Sequence, residues 1–169
     1  MSFSILRRTA FACVATLFAL AAVLALPAAS AFAADLTVTA ANVLPGANAV
    51  LVTGTAGEAI TAGQELYKKA ADLKWYKADC NAVSAEARVA KGVALTGSAA
   101  GQSVVVETSG QITIGATLTA GTVYYLSGTA GAIRPAADNT TGDYPQVVGM
   151  ALSTTVLQID FALAAAAAL

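Results

Sequence analysis

From residue 34 to residue 161, apolar and polar positions alternate in short runs broken by Gly, Thr and Ala, a pattern of short strands joined by tight turns. Leu36-Thr37-Val38-Thr39 alternates with period two and predicts a half-buried strand. Val50-Leu51-Val52-Thr53 is a compact apolar run ahead of Gly54. Glu65–Tyr67 and Leu73–Lys77 predict a hairpin, with Lys68, Lys69 and Lys74 solvating its end. Val104–Val106, Gln111–Ile114, Val123–Leu126 and Val147–Leu152 predict further strands. In the last strand Leu157, Ile159 and Phe161 alternate against Gln158 and Asp160. Val83–Ala90 has the best helix propensity of this stretch and predicts one short helix or an Ala-rich loop. Such strand spacing predicts a mainly β fold, a small β-barrel or sandwich.

The pattern also repeats. Ile60-Thr61-Ala62-Gly63 followed by Tyr67 returns as Leu118-Thr119-Ala120-Gly121 followed by Tyr125. Gly92-Val93-Ala94-Leu95-Thr96 returns as Gly149-Met150-Ala151-Leu152-Ser153. The offset of about 58 residues is too long for a short-period solenoid and suits a duplicated β unit, with half-units over residues 58–96 and 116–153. The repeated residues are fold-making types. Tyr67 and Tyr125 occupy equivalent positions, which predicts core packing for both.

Residues 1–34 differ from the rest. Arg7-Arg8 precede an apolar run from Ala10 to Leu26, Pro27 breaks it, and Ala31-Phe32-Ala33 offers small residues for cleavage. The segment predicts an apolar helix: a secretory signal peptide cleaved near Ala33, a membrane anchor, or an arm retained in an assembly. Residues 35–161 form the expected duplicated domain, and residues 162–169 an Ala-rich tail.

Charge changes the picture more than length does. Only 11% of residues are charged and the net charge is −1, which offers nucleic acid no electrostatic footprint and suggests a surface covered by sister subunits. The chain has no His, so the commonest general base and metal ligand is missing. Cys80 is the one Cys outside the N-terminal segment. It is a small core residue or a thiol linking two copies. Asp79, Glu86, Asp138 and Asp143 lie in turn-forming stretches, without EF-hand spacing or an aromatic groove. Gly54-Thr55-Ala56-Gly57 and Gly128-Thr129-Ala130-Gly131 lack the Lys-Ser/Thr ending of a phosphate loop and read as β-turns. The expectation is a non-enzyme without cofactor or metal. Trp75 and Tyr76 have no aromatic match in the second repeat, which offers Ile133-Arg134, so Trp75, Tyr76 and Tyr144 are the candidate partner contacts.

The run Gly92-Val93-Ala94-Leu95, with Ala99-Ala100-Gly101-Gln102-Ser103-Val104, resembles small virion proteins of phages. So does Leu118-Thr119-Ala120-Gly121-Thr122-Val123-Tyr124-Tyr125-Leu126-Ser127, followed by Ala130–Pro135 and Val147–Ala151. Over residues 35–161 the chain is similar to tailed-phage capsid decoration (cement) proteins and related tail-fibre β modules. That resemblance implies a small β-barrel, self-associated as a trimer and bound to the major capsid protein or other virion subunits. It carries no catalytic motif. A tail-fibre or receptor-contact module is the alternative, and a secreted or periplasmic bacterial surface protein the second.

Overall fold

A computed structural model describes residues 35–161 and 168–169. The expected N-terminal helix and most of the Ala-rich tail lie outside the described residues. The domain is mainly β, built on a curled half-barrel sheet. Its strands are β1 (Val43–Pro45), β2 (Val50–Thr55), β3 (Glu65–Lys68), β4 (Trp75–Lys77), β5 (Gly92–Ala94) and β6 (Ser103–Ile114). They continue with β7 (Val123–Leu126), β8 (Ile133–Pro135), β9 (Val147–Ala151) and β10 (Val156–Ile159).

The long strand β6 organises everything. Antiparallel partners lie along both of its edges: β2 and β5 on its first half, β1 and β10 on its second. Each half therefore belongs to a different layer of strands. One runs β2-β6-β5-β3-β4 and the other β6-β10-β9-β7-β8. The sequence predicts two strands, Val104–Val106 and Gln111–Ile114, where β6 is one. Gly110 has φ +109, and the partner register shifts nearby, so the strand bends between its halves without ending.

The two layers repeat the same pairings. Tyr67 lies opposite Tyr76 as Tyr125 lies opposite Arg134. Leu66 lies opposite Gly92 as Tyr124 lies opposite Gly149. The Gly63 N–H donates to the Ala94 carbonyl at 2.7 Å, and the Gly121 N–H to the Ala151 carbonyl at 2.8 Å. Both turn glycines sit in the left-handed region, at φ +86 and +78, which side chains rarely adopt. Gly92 and Gly149 are glycines for a different reason. A Cβ would stand 2.3 Å from Val106 Cγ1 at the first and 2.1 Å from the Gln158 carbonyl oxygen at the second. The repeated Gly-x-Ala signature thus marks where neighbouring strands approach too closely for a side chain.

Two cores result. Leu66, Trp75, Ala94, Val104 and Val106 pack with Ala56 and Ile60 in the first layer. Ile112, Ile114, Tyr124, Leu126, Ile133, Val148 and Leu157 dominate the larger cluster, which Val93, Ala78 and Cys80 join.

Several sequence expectations are corrected here. Leu36–Thr39 is not a strand; it is an irregular strap. Its Leu36 N–H donates to Ile133 at 2.9 Å and its Thr39 N–H to Gly115 at 2.8 Å. Of the two alternatives for Val83–Ala90 the loop holds and the helix does not: the stretch forms turns, with the buried Ala90 N–H donating to Gln146, far along the chain. Gly54 and Thr55 belong to β2, and Ala56 bridges to Trp75, so this stretch is no β-turn. Phe161 lies past the end of β10. Half-buried Tyr67 does pack against the larger cluster, as expected; Tyr125 is half-buried too, and the residues one position earlier, Leu66 and Tyr124, are the ones fully inside.

Candidate interaction surface

The three aromatic candidates have separate fates. Trp75 is 4% exposed, so the exposed contact expected there is corrected to a core residue. Its ring faces inward because β4 alternates and because Gly54 leaves room: a Cβ there would stand 2.4 Å from the indole Nε1. Tyr76, on the opposite face of β4, is half-buried. Its hydroxyl donates to Asp72 Oδ2 at 2.7 Å, and Lys69 Nζ lies 5.3 Å from its ring centroid. That hydrogen bond lowers the Asp72 pKa and raises the tyrosine's. Tyr144 is half-buried with the Arg88 guanidinium 3.7 Å from its ring centroid. Arg88 is itself fixed by donating to the Ala82 and Val83 carbonyls at 2.6 and 3.2 Å. Each aromatic side chain is thus engaged within its own part of the domain, and they form no common platform.

Cys80, Arg134 and Asp143 converge in the interior. Arg134 and Asp143 form a buried salt bridge. Arg134 Nη2 also donates to Cys80 Sγ at 3.3 Å, and the thiol donates to Asp143 Oδ1 at 3.4 Å. Burial pushes the Asp143 carboxyl up, but hydrogen bonds from Thr140, Cys80 and Arg134 outweigh it and hold the carboxyl below its ordinary range. Burial drives the Cys80 thiol up to about 12 despite Arg134, so it stays protonated and unreactive. With no exposed surface it does not reach a second copy. The cluster is a clamp between the repeats, since Cys80 follows β4 while Arg134 lies on β8. Gln146 adds a second clamp, accepting from the Ala90 N–H at 2.7 Å and donating to its carbonyl at 3.0 Å.

Two acids are buried without partners among the described residues, Glu65 and Glu107. Both lie opposite Val93 in register, one from β3 and one from β6, so their side chains share a sheet face. Burial raises Glu65 well above its usual range and Glu107 to about 7. Neither side chain is reachable from solvent, so no substrate approaches them in this conformation. Beside β1 a shallow groove is lined by Thr37, Thr39, Thr113, Thr117, Thr155 and Asn42, neutral groups suited to hydrogen bonding. Among the described residues no three His, Cys, Asp or Glu side chains group as a metal site. No described helix is long and apolar enough to cross a membrane.

The surface that sequence reasoning missed is aliphatic. Leu44 on β1 and Val50, Leu51 and Val52 on β2 are 58%, 51%, 49% and 38% exposed, the last three consecutive in the chain. An apolar run without alternation normally marks a strand buried on both faces. Here, among the described residues, β2 pairs only with β6 and its residues are exposed on both faces. The one available signal was the lack of any charge between Asp35 and Glu58.

No protein-family model matches this chain, and no curated protein is significantly similar to it.

Proposed function

We propose that this chain is a structural, non-enzymatic protein that works by self-association and by packing onto a larger assembly, as a capsid decoration protein does on a phage particle. The observation that carries the reading is the apolar edge formed by Leu44, Val50, Leu51 and Val52, open on a domain with few charged residues. A sheet edge of this kind is a template for another chain, and soluble monomers usually blunt it. Many such contacts, each weak, add up when copies are fixed on a lattice. The partners are further copies and the major capsid protein or other virion subunits, and the localisation is the virion. Tyr76 and Tyr144 remain candidate contacts through the parts of their rings left open.

The second reading is an exported bacterial surface protein, favoured by Arg7-Arg8, the apolar run and the small residues at Ala31 and Ala33. Intact mass and N-terminal sequence of the protein from its natural source separate the two. A chain beginning at Met1 or Ser2 that sediments with particles in fixed stoichiometry supports the virion reading. A chain beginning near Ala34 in a periplasmic or culture fraction overturns it.

A further inference from the structure

The edges of the sheet are treated unequally. On β4 the Gly57 N–H donates to the Trp75 carbonyl at 2.8 Å, and the Lys77 N–H to Glu58 Oε1 at 2.8 Å, so residues 56–58 seal that edge. On β8 the Leu36 strap donates to Ile133. On β1 the outward positions are Val43 and Pro45: the first bonds its N–H back to Ala40, and the second has none. On β2 nothing comparable exists among the described residues. The Ala56 N–H donates toward β6, to Gln102, and the Val105 carbonyl facing Thr53 is turned away toward Leu95. Alternation then points the peptide groups of Leu51 and Thr53 outward. The open window is short. The left-handed residue Asn48, φ 57, bounds it on one side and the Ala56–Trp75 bridge on the other.

The repeat shows what such an edge holds. Stepping back along both copies from Ile60 and Leu118 aligns Thr53 with Gln111 and Thr55 with Thr113, so β2 corresponds to the second half of β6. That half carries a strand on the equivalent edge: β1 lies antiparallel there, with Leu44 opposite Thr113 and Pro45 opposite Ile112. In the first layer the same place is open. The occupant by analogy is an antiparallel, uncharged, apolar strand.

We propose that β2 pairs antiparallel with β2 of a second copy about a two-fold axis at Val52, an inference that rests on the reading of this chain as a self-associating structural protein. In that register Leu51 of each copy lies opposite Thr53 of the other. All outward N–H and C=O groups of these two residues are satisfied reciprocally, and the two Val52 side chains meet at the axis. No charge lies on the strand to oppose the pairing, whereas the β3–β4 hairpin carries Lys68, Lys69, Lys74 and Lys77. Val50, Leu51 and Val52 each gain an uncharged cross-strand neighbour on their own face of the joined sheet. The symmetry gives a closed dimer in place of the trimer that the phage resemblance implies.

The test uses the full chain and sedimentation equilibrium over a dilution series. The expected result is a dimer, weakened to monomer by Val52→Lys, which places like charges across the axis. Thr53→Pro removes an outward N–H that β6 does not use, and is expected to give a folded monomer as well. Under oxidation Val52→Cys is expected to be captured as an interchain disulfide, and Leu51→Cys much less so. A parent chain that is monomeric throughout, or trimeric, overturns the pairing. So does a dimer that folded Val52→Lys leaves intact, or one captured more readily through Leu51→Cys. A monomer that still sediments with particles overturns the pairing alone. A Val52→Cys disulfide dimer that never associates with particles upholds the pairing and overturns the virion reading.

Discussion

The two layers share strand order, register and even individual turn hydrogen bonds, yet they are filled and finished differently. At equivalent positions the first has Trp75, Tyr76, Leu66 and Glu65 where the second has Ile133, Arg134, Tyr124 and Val123. The first core turns on one indole against Gly54. The second is a larger aliphatic cluster reinforced by the Arg134–Asp143 pair. The second layer has its outer edge covered by β1, while the first leaves β2 open. Backbone approach and turn geometry fix what repeats, namely Gly63 and Gly121, Gly92 and Gly149. Side-chain identity is left to vary, and with it stability, pH response and capacity for association.

The sharpest way to break the comparison is at its centre. Trp75→Ala is expected to cost about 3–5 kcal/mol, because the large ring has little to replace it against glycine-thinned β2. Ile133→Ala, its structural counterpart, is expected to cost about 2–5 kcal/mol and to fall toward the lower end, since many aliphatic neighbours share its space. Urea unfolding of both variants measures the difference; equal losses would mean that the two cores are equally tolerant. Arg134→Met leaves the Asp143 carboxylate buried without its cation and is expected to cost about 3 kcal/mol or more at neutral pH. Tyr76→Met, at the position equivalent to Arg134, breaks no buried ion pair and is expected to cost less.

Acidity separates the layers next. Glu107 binds its proton more tightly in the folded chain, where burial raises its pKa to about 7, than in the unfolded chain, where it titrates near the ordinary 4.5. Between those values the folded chain holds the extra proton, so stability falls as pH rises and levels off above about 7. Glu65 acts in the same direction. Glu107→Gln is expected to remove part of this slope and to raise the melting temperature more at pH 8 than at pH 5. An unchanged slope would place the pH dependence in Glu65 alone or elsewhere. The second layer contributes the opposite sign: the lowered Asp143 pKa adds stability that is lost as pH falls through it.

The sequence carried the strands best where alternation was clean, as at Leu157 and Ile159, and where the repeat supplied a second copy of the signal. It failed at β1 and β8, because three residues hold too little periodicity to register. It failed at Leu36–Thr39, where alternation is real but the residues bond across to Ile133 and Gly115, far along the chain. Trp75 was misplaced because an unmatched aromatic looks like a surface feature. Only the approach of Gly54, contributed by a different strand, shows that the ring is needed inside. The exposure of the apolar edge was not legible for the converse reason. Burial of Val50-Leu51-Val52 depends on which strands lie outside β2, and composition does not encode sheet order.

The smallest effect expected is at Tyr144, and it bears on which surfaces remain available. Its ring lies under the Arg88 guanidinium, which also holds the 82–83 turn through two carbonyls. Tyr144→Leu keeps an apolar side chain and removes the cation–π contact, an expected loss of about 0.5–1 kcal/mol, together with faster local exchange of the 82–88 amides. If the chain binds particles as proposed and the ring only anchors Arg88, that binding should follow the small destabilisation and no more. A loss of binding with the melting temperature nearly unchanged would show that the open side of the ring meets a partner. The second layer would then carry an interface of its own, distinct from the edge of β2.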